Sequence, residues 1–198
     1  GGGGKLRVEL DHVDTLLGGG REPANIRPVI RYAGDDWRRL DAGEVIEHAD
    51  GCRKVAWTVD APTAHFDLAV CYPYGMAELT DALDATGDYW TARTIGVSHA
   101  GRPLLRLAND FGQVDGDRPG VFLVARQHSG ETPGSWVLDG LLREMPRHDA
   151  PVTWVIPLAH IDGVVDGDYG KDPFPWDVNR AWQRPSMRHE NHCYLYDF

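Results

Sequence analysis

Two short apolar runs constrain this chain most. Val121-Phe122-Leu123-Val124-Ala125 and Val152-Thr153-Trp154-Val155-Ile156-Pro157-Leu158 bracket a helical pattern over residues 135–145, which Pro146 ends. Runs this rich in apolar and β-branched residues read as buried strands, the first covered on both faces. Trp136, Leu138, Leu141 and Leu142 supply the apolar contacts of the helix between them. Strand, helix, strand at this spacing predicts a crossover in a parallel or mixed sheet, an α/β arrangement. Ligands of such sheets gather just past the carboxyl ends of strands. His128-Ser129-Gly130-Glu131 lies past one such end and Asp162-Gly163 past the other.

The rest of the chain punctuates differently. Before Pro73, strand-like segments over residues 26–32, 54–59 and 65–72 are separated by Gly34-Asp35-Asp36, Asp50-Gly51 and Asp60-Ala61-Pro62. No helical period competes there, so residues 1–73 predict a small antiparallel β domain. After it, residues 76–83 carry a helical stripe of Met76, Leu79 and Leu83. Residues 91–108 read as strand, turn, strand. Residues 160–182 are rich in Gly, Pro and Asp and read as one long loop, the kind of segment that often carries function. His160 stands at its start as a cleft-lining candidate.

The chain has 198 residues and a formal net charge of -10. An acidic balance argues against nucleic acid, because phosphate neutralisation needs a basic face. No apolar run reaches membrane-spanning length, so no membrane partner is expected. Cys52, Cys71 and Cys193 are odd in number and widely spaced, which reads as free thiols in a reducing compartment. Gly1 to Gly4 have the look of a linker and carry no fold information.

His128 and Glu131 pair a nitrogen donor with a carboxylate three residues on. Two His and one Glu, with a fourth position open, is a known set for a catalytic zinc, and this segment offers two of the three. The same pair, taken alone, is equally an ordinary polar pair at a helix start, where the dipole favours a carboxylate. Taken alone, Arg180 reads as a surface ion-pair residue, Asp177 as a turn former and Lys171 as a solvated loop lysine. Ser129 and Ser135 have no nucleophile-elbow context.

The order of motifs adds to this. His128-Ser129-Gly130-Glu131-Thr132-Pro133-Gly134-Ser135, Ile161-Asp162-Gly163-Val164 and Asp177-Val178-Asn179-Arg180 resemble the successive motifs of zinc metallocarboxypeptidases, in particular the cytosolic carboxypeptidase branch. Cys71-Tyr72-Pro73-Tyr74 resembles the end of the β-sandwich that precedes the catalytic domain in that branch, and Gly101-Arg102-Pro103-Leu104 resembles one of its hairpins. The resemblance implies an N-terminal β-sandwich over residues 1–73 and the front part of a mixed-sheet α/β catalytic domain over 74–198. It implies a cytoplasmic, zinc-dependent hydrolase that removes the C-terminal residue of a peptide or protein. By the same resemblance His128 and Glu131 are zinc ligands. Asn179 and Arg180 grip the substrate's terminal carboxylate, and Asp177 accepts from the zinc-binding His. Lys171 stands near the cation that faces the scissile carbonyl oxygen.

The family's third zinc ligand follows the Asn-Arg pair at several tens of residues, and its general-base Glu lies further on. The expectation is therefore that both lie beyond Phe198, that residues 187–197 form the intervening helix, and that this stretch alone turns over little. Two other readings share the features. One is a zinc-dependent deacylase of N-acyl amino acids, of the aspartoacylase type, which has the same fold and a His-x-x-Glu pair. The other is a non-catalytic binding module or pseudoenzyme.

Overall fold

Strand β5, Arg53–Asp60, buries Val55, Trp57 and Val59 at alternate positions, the period-two signature of a strand with one face on a core. The computed structural model describes residues 4–15, 22–61, 65–110, 120–171 and 176–197, which fall into two units, Gly1–Pro73 and Tyr74–Phe198. In the first unit β5 is the middle strand of an antiparallel sheet, flanked by β1, Lys5–Leu10, and β4, Glu44–Glu47. A second antiparallel sheet sets β2, Val29–Tyr32, between β3, Arg38–Arg39, and β6, Phe66–Ala69. The strand expected over residues 26–32 starts only at Val29, behind a 3-10 turn at Pro23–Asn25. Pro28 has no N–H for a ladder, which fits a strand that begins just after it.

The first unit also holds strands that were not expected from the sequence, although Leu6, Val8 and Leu10 alternate with charged residues in one of them. Strand β1 reads Lys-Leu-Arg-Val-Glu-Leu and is exposed along most of its length. Cross-strand charge pairs cover its polar face: Arg7 donates to Glu44 at 2.9 Å, and Lys54 to Glu9 at 2.6 Å.

The second unit opens with helix α1, Met76–Asp84. Glu78 reaches back to the Gly75 N–H at 2.7 Å and satisfies one of the donors that a helix start leaves free. Strands β7, Thr91–Val97, and β8, Pro103–Ala108, form a hairpin; β9, Gly120–Val124, and β10, Val152–Ile156, follow with helix α2, Thr132–Glu144, between them. The sheet order is β7-β8-β10-β9, with β9 and β10 parallel and the other pairs antiparallel. The crossover read from the sequence is therefore present, in a mixed sheet. Leu79, Leu104, Leu107, Leu142, Val155, Ile156 and Val178 make its core. Each such side chain contributes roughly 1.5–3 kcal/mol relative to exposure.

Four expectations are corrected. The strand at 121–125 was expected to be covered on both faces, but β9 is the edge of the described sheet; Val121 is 36% exposed and residues 122–124 are half-buried. An apolar run records what prefers to leave water, whereas strand order decides what covers it. Trp136 and Leu141 were expected among the packed contacts of α2 and are each 42% exposed instead; Trp136 meets Tyr74 edge-on, ring centroids 5.1 Å apart. The long loop over 160–182 holds a helix, α3, Ile161–Asp166, and a 3-10 turn, Val178–Arg180. Gly167, with φ +81°, ends α3 in the left-handed conformation that Gly adopts without steric cost. His160, expected at a loop start, is buried at the start of α3. The last helix, α4, His189–Asp197, lies where the resemblance places one, and its Tyr194 hydroxyl donates to the Ala159 carbonyl at 2.7 Å.

Candidate metal centre

Backbone pairing runs on for two residues past β9. Ala159 donates to the Ala125 carbonyl at 3.0 Å and His160 to the Arg126 carbonyl at 2.9 Å. At Arg126 the backbone then enters the left-handed region, φ +59°, which costs a residue with a Cβ roughly 1–2 kcal/mol. The Arg126 side chain is buried. Its Nε donates to the Ser129 carbonyl at 2.7 Å, its Nη2 bonds the same oxygen, and its Nη1 donates to the Tyr74 carbonyl at 2.5 Å. Burial pushes its pKa below the ordinary guanidinium value, yet it stays charged at any ordinary pH.

Beyond Arg126 the chain closes a tight turn, with the Glu131 N–H donating to the His128 carbonyl at 3.1 Å. This brings the two side chains together. His128 Nδ1 lies 3.1 Å from Glu131 Oε1, and Nε2 lies 3.1 Å from both carboxylate oxygens of Asp177. With Nε2–H donating to Asp177, the tautomer leaves the Nδ1 lone pair facing Glu131. Glu131 occupies the N-cap of α2, but its carboxylate makes no capping hydrogen bond. It turns back toward the imidazole, where the Tyr169 hydroxyl donates to it at 3.4 Å. That orientation separates the pair from an ordinary polar helix start.

His128 is buried, while the Glu131 side chain is about half exposed (53%), so the group opens to solvent on the Glu131 side. Imidazole nitrogen and carboxylate are donor types that zinc takes. Among the described residues no group of three or more His, Cys, Asp and Glu is arranged to hold a metal. Asp177, the third side chain of the group, faces the opposite ring nitrogen.

Asp177 has a second task. Its Oδ1 accepts the Asn179 N–H at 2.8 Å and starts the 3-10 turn Val178–Arg180. One carboxylate thus ties the Asn-Arg segment to the imidazole. Asn179 shares with Arg126, Gln127 and Glu131 the wall of a cavity of about 300 Å³. Arg180 is exposed; among the described residues its guanidinium meets only the Asn179 carbonyl, at 3.3 Å, and no carboxylate. Lys171 is exposed, with Nζ 5.5 Å from the centre of the Tyr169 ring.

Sequence reasoning missed Arg126 and the strap formed by Asp168, Tyr169 and Gly170. Ser129 Oγ donates to the Asp168 carbonyl at 2.7 Å, and the Gly130 N–H donates to the Tyr169 carbonyl at 2.9 Å. The Tyr169 ring stacks on His128, centroids 6.3 Å apart and planes 14° from parallel. So close an approach dictates glycine at Gly130, where a Cβ would sit 2.8 Å from Tyr169 Cδ2, and at two further positions. A Cβ at Gly163 would sit 2.4 Å from Ser129 Oγ, and one at Gly170, φ +94°, would sit 2.5 Å from the Ser129 nitrogen. The glycine of the Asp162-Gly163 motif is therefore a packing requirement of the site turn. Its aspartate pins a hairpin: Asp162 accepts from the Ser98 hydroxyl at 2.6 Å, Arg102 at 2.8 Å and the Ala100 N–H at 3.0 Å. Burial pushes the Asp162 carboxyl up, and these donors outweigh it, so its pKa lies below the ordinary value.

No family model matches the chain. It is 36% identical to human cytosolic carboxypeptidase 1 over 78 residues, 35% of this chain and 6% of that protein. It is 28% identical to zebrafish (Danio rerio) cytosolic carboxypeptidase 2 across 96% of this chain and 30% of that one. A solved metallo-carboxypeptidase from Burkholderia cenocepacia superposes with a TM-score of 0.74 at 21% identity, covering 98% of this chain and 54% of that one. The chain is carboxypeptidase-like. The carboxypeptidase-like chain spans about half of the solved relative and less than a third of the two curated ones. Its mixed α/β fold is that of the solved relative. Among its described residues no helix is long and apolar enough to cross a membrane.

Proposed function

We propose that this chain carries the front part of the active site of a zinc-dependent carboxypeptidase acting on the C-terminus of a peptide or protein in the cytoplasm. One observation carries the reading: the His128 ring is held between Asp177 on Nε2 and Glu131 on Nδ1. A carboxylate behind the ring fixes its tautomer and raises its basicity, while Nδ1 and Glu131 converge on the open side. These two side chains would hold the metal, which when bound polarises a carbonyl and lowers the pKa of water. A catalytic zinc takes three protein ligands; the third, and a general base, are not among the residues assigned.

Arg180 and Asn179 would bind and orient the substrate. A guanidinium is a rigid fork of donors suited to a carboxylate, and that of Arg180 meets no acid among the described residues of an acidic protein. Recognition of a terminal carboxylate confines a peptidase to the C-terminal residue of its substrate. Lys171 is assigned to the oxyanion side on the resemblance alone.

The test is substrate selectivity in the full-length protein. Arg180→Ala should lower kcat/KM for free-acid peptides about a hundredfold, the loss of a charge-assisted pair, and for C-terminally amidated peptides far less. Equal loss on both removes Arg180 from the role. Hydrolysis of N-acyl amino acids in preference to peptides would reassign the site to deacylation. Zinc content should fall in His128→Ala; an unchanged metal content removes His128 from the ligand set.

A further inference from the structure

We infer that Arg126 is a positioning residue that assembles the His128–Glu131 pair before any metal arrives. The inference rests on the metal reading above and names a residue that reading does not use. Two features of Arg126 act together. Its left-handed backbone, φ +59°, turns the chain off the end of β9 immediately after His160 has fixed its carbonyl at 2.9 Å. Its buried guanidinium then reaches forward and takes the Ser129 carbonyl, from Nε at 2.7 Å and from Nη2 as well. Nη1 holds the Tyr74 carbonyl at 2.5 Å, so the fork is anchored on a segment outside the turn.

The choice of residue is informative. Glycine would meet the backbone requirement at Arg126 without strain. An arginine there accepts the strain and a buried charge, and among the described residues its side chain bonds two carbonyl oxygens and no carboxylate. The Ser129 carbonyl lies between the two proposed ligands in sequence. Holding it, while the Gly130 N–H is held by the Tyr169 carbonyl at 2.9 Å, leaves the peptide between His128 and Glu131 little freedom to rotate. Nδ1 and Oε1 consequently meet at 3.1 Å. The Arg126 guanidinium bonds the Ser129 and Tyr74 carbonyls and makes no hydrogen bond to the His128 or Glu131 side chain among the described residues, so it acts through the turn. Lys at this position could give one donor to one carbonyl but not the rigid fork.

Arg126→Gly keeps the permitted backbone and removes the clamp, which separates the two contributions. Native-state hydrogen exchange on the metal-free full-length protein, followed by zinc titration, reads the result. The amides of Gly130 and Glu131 should exchange about tenfold faster or more, those of β8 and β10 should not change, and zinc should bind roughly tenfold more weakly. Arg126→Lys should recover part of both effects, and it decides the matter if the glycine variant does not fold. Wild-type exchange and wild-type zinc affinity in Arg126→Gly would show that backbone conformation alone sets the turn and would overturn the inference. Faster exchange throughout β8 and β10 in both variants would make Arg126 a general prop of the fold, overturning it equally. If the unsubstituted protein takes up no zinc while the exchange pattern is as expected, the positioning role stands and the metal reading falls.

Discussion

The two units handle polarity in opposite ways. In Gly1–Pro73 the described charged side chains lie at or near the surface, many in cross-strand pairs such as Arg7 with Glu44 and Arg31 with Asp67, and every buried residue is apolar or proline. In Tyr74–Phe198 Arg126, His128, Ser129, Ser135, His160, Arg188, Glu190 and Asn191 are all buried. A polar group taken out of water is costly unless its hydrogen bonds are replaced. The first unit meets that cost at the buried Trp57 indole N–H, which has no partner among the described residues, and the second accepts it at many positions. Much of its buried polarity gathers around one turn and the segments that strap it. Buried polar networks over-determine a geometry, which is useful where donor atoms must stand at set distances and redundant in a scaffold.

Three substitutions test this contrast, the largest effect first. Glu190 is buried, accepts from Arg188 Nε at 3.0 Å and from the His99 N–H at 3.1 Å, and is held below the ordinary carboxylate value because these partners outweigh burial. Glu190→Ala removes the acceptor of two donors, Arg188 Nε and the His99 N–H, and should destabilise the second unit by about 1–3 kcal/mol or more, seen as a lower denaturant midpoint. A loss no larger than that of a surface pair would break the contrast.

Asp162 comes next, since it is mostly buried and accepts from three donors. Asp162→Asn should cost about 1–2 kcal/mol. The pH dependence has a definite sign. The folded pKa lies below 3.8, so the carboxylate's contribution is complete above pH 3.8 and is lost as the pH falls through the lowered folded value. The gap between wild type and Asp162→Asn, followed by thermal melts, should therefore close as the pH drops below 3.8. A gap that widens in acid would contradict the assignment.

The smallest effect belongs to the first unit. Lys5 and Asp60 pair across β1 and β5 with both side chains largely exposed. Lys5→Ala should leave the denaturation midpoint unchanged within error at ordinary ionic strength. A clear loss would mean that surface pairing does structural work in this unit after all.

Helices were legible where their apolar stripes were clean. Leu79 and Leu142 report α1 and α2 because each packs on the sheet. Strands β8 and β10 were legible for a similar reason; β1 was not read as a strand although Leu6, Val8 and Leu10 alternate with Lys5, Arg7 and Glu9, and β4, Glu-Val-Ile-Glu, is too short to show a period, so pairing along β5 defines it. For the candidate site, the order of motifs pointed to His128, Glu131, Asp177, Asn179 and Arg180, and the structure brings His128, Glu131 and Asp177 within hydrogen-bond distance. Arg126 gave no signal, because an arginine after an apolar strand usually marks the surface. Its role depends on a left-handed backbone and on carbonyls three residues ahead and 52 behind.

By itself the chain determined which residues prefer to leave water and which side chains have the chemistry to bind metal and carboxylate, because both are properties of single residues and their spacing. Only the tertiary structure decided that β9 lies at the sheet's described edge, that Asp162 pins a hairpin, and that a buried guanidinium and a tyrosine strap shape the His128–Glu131 turn. Those outcomes depend on distances between groups far apart along the backbone, which no local pattern encodes.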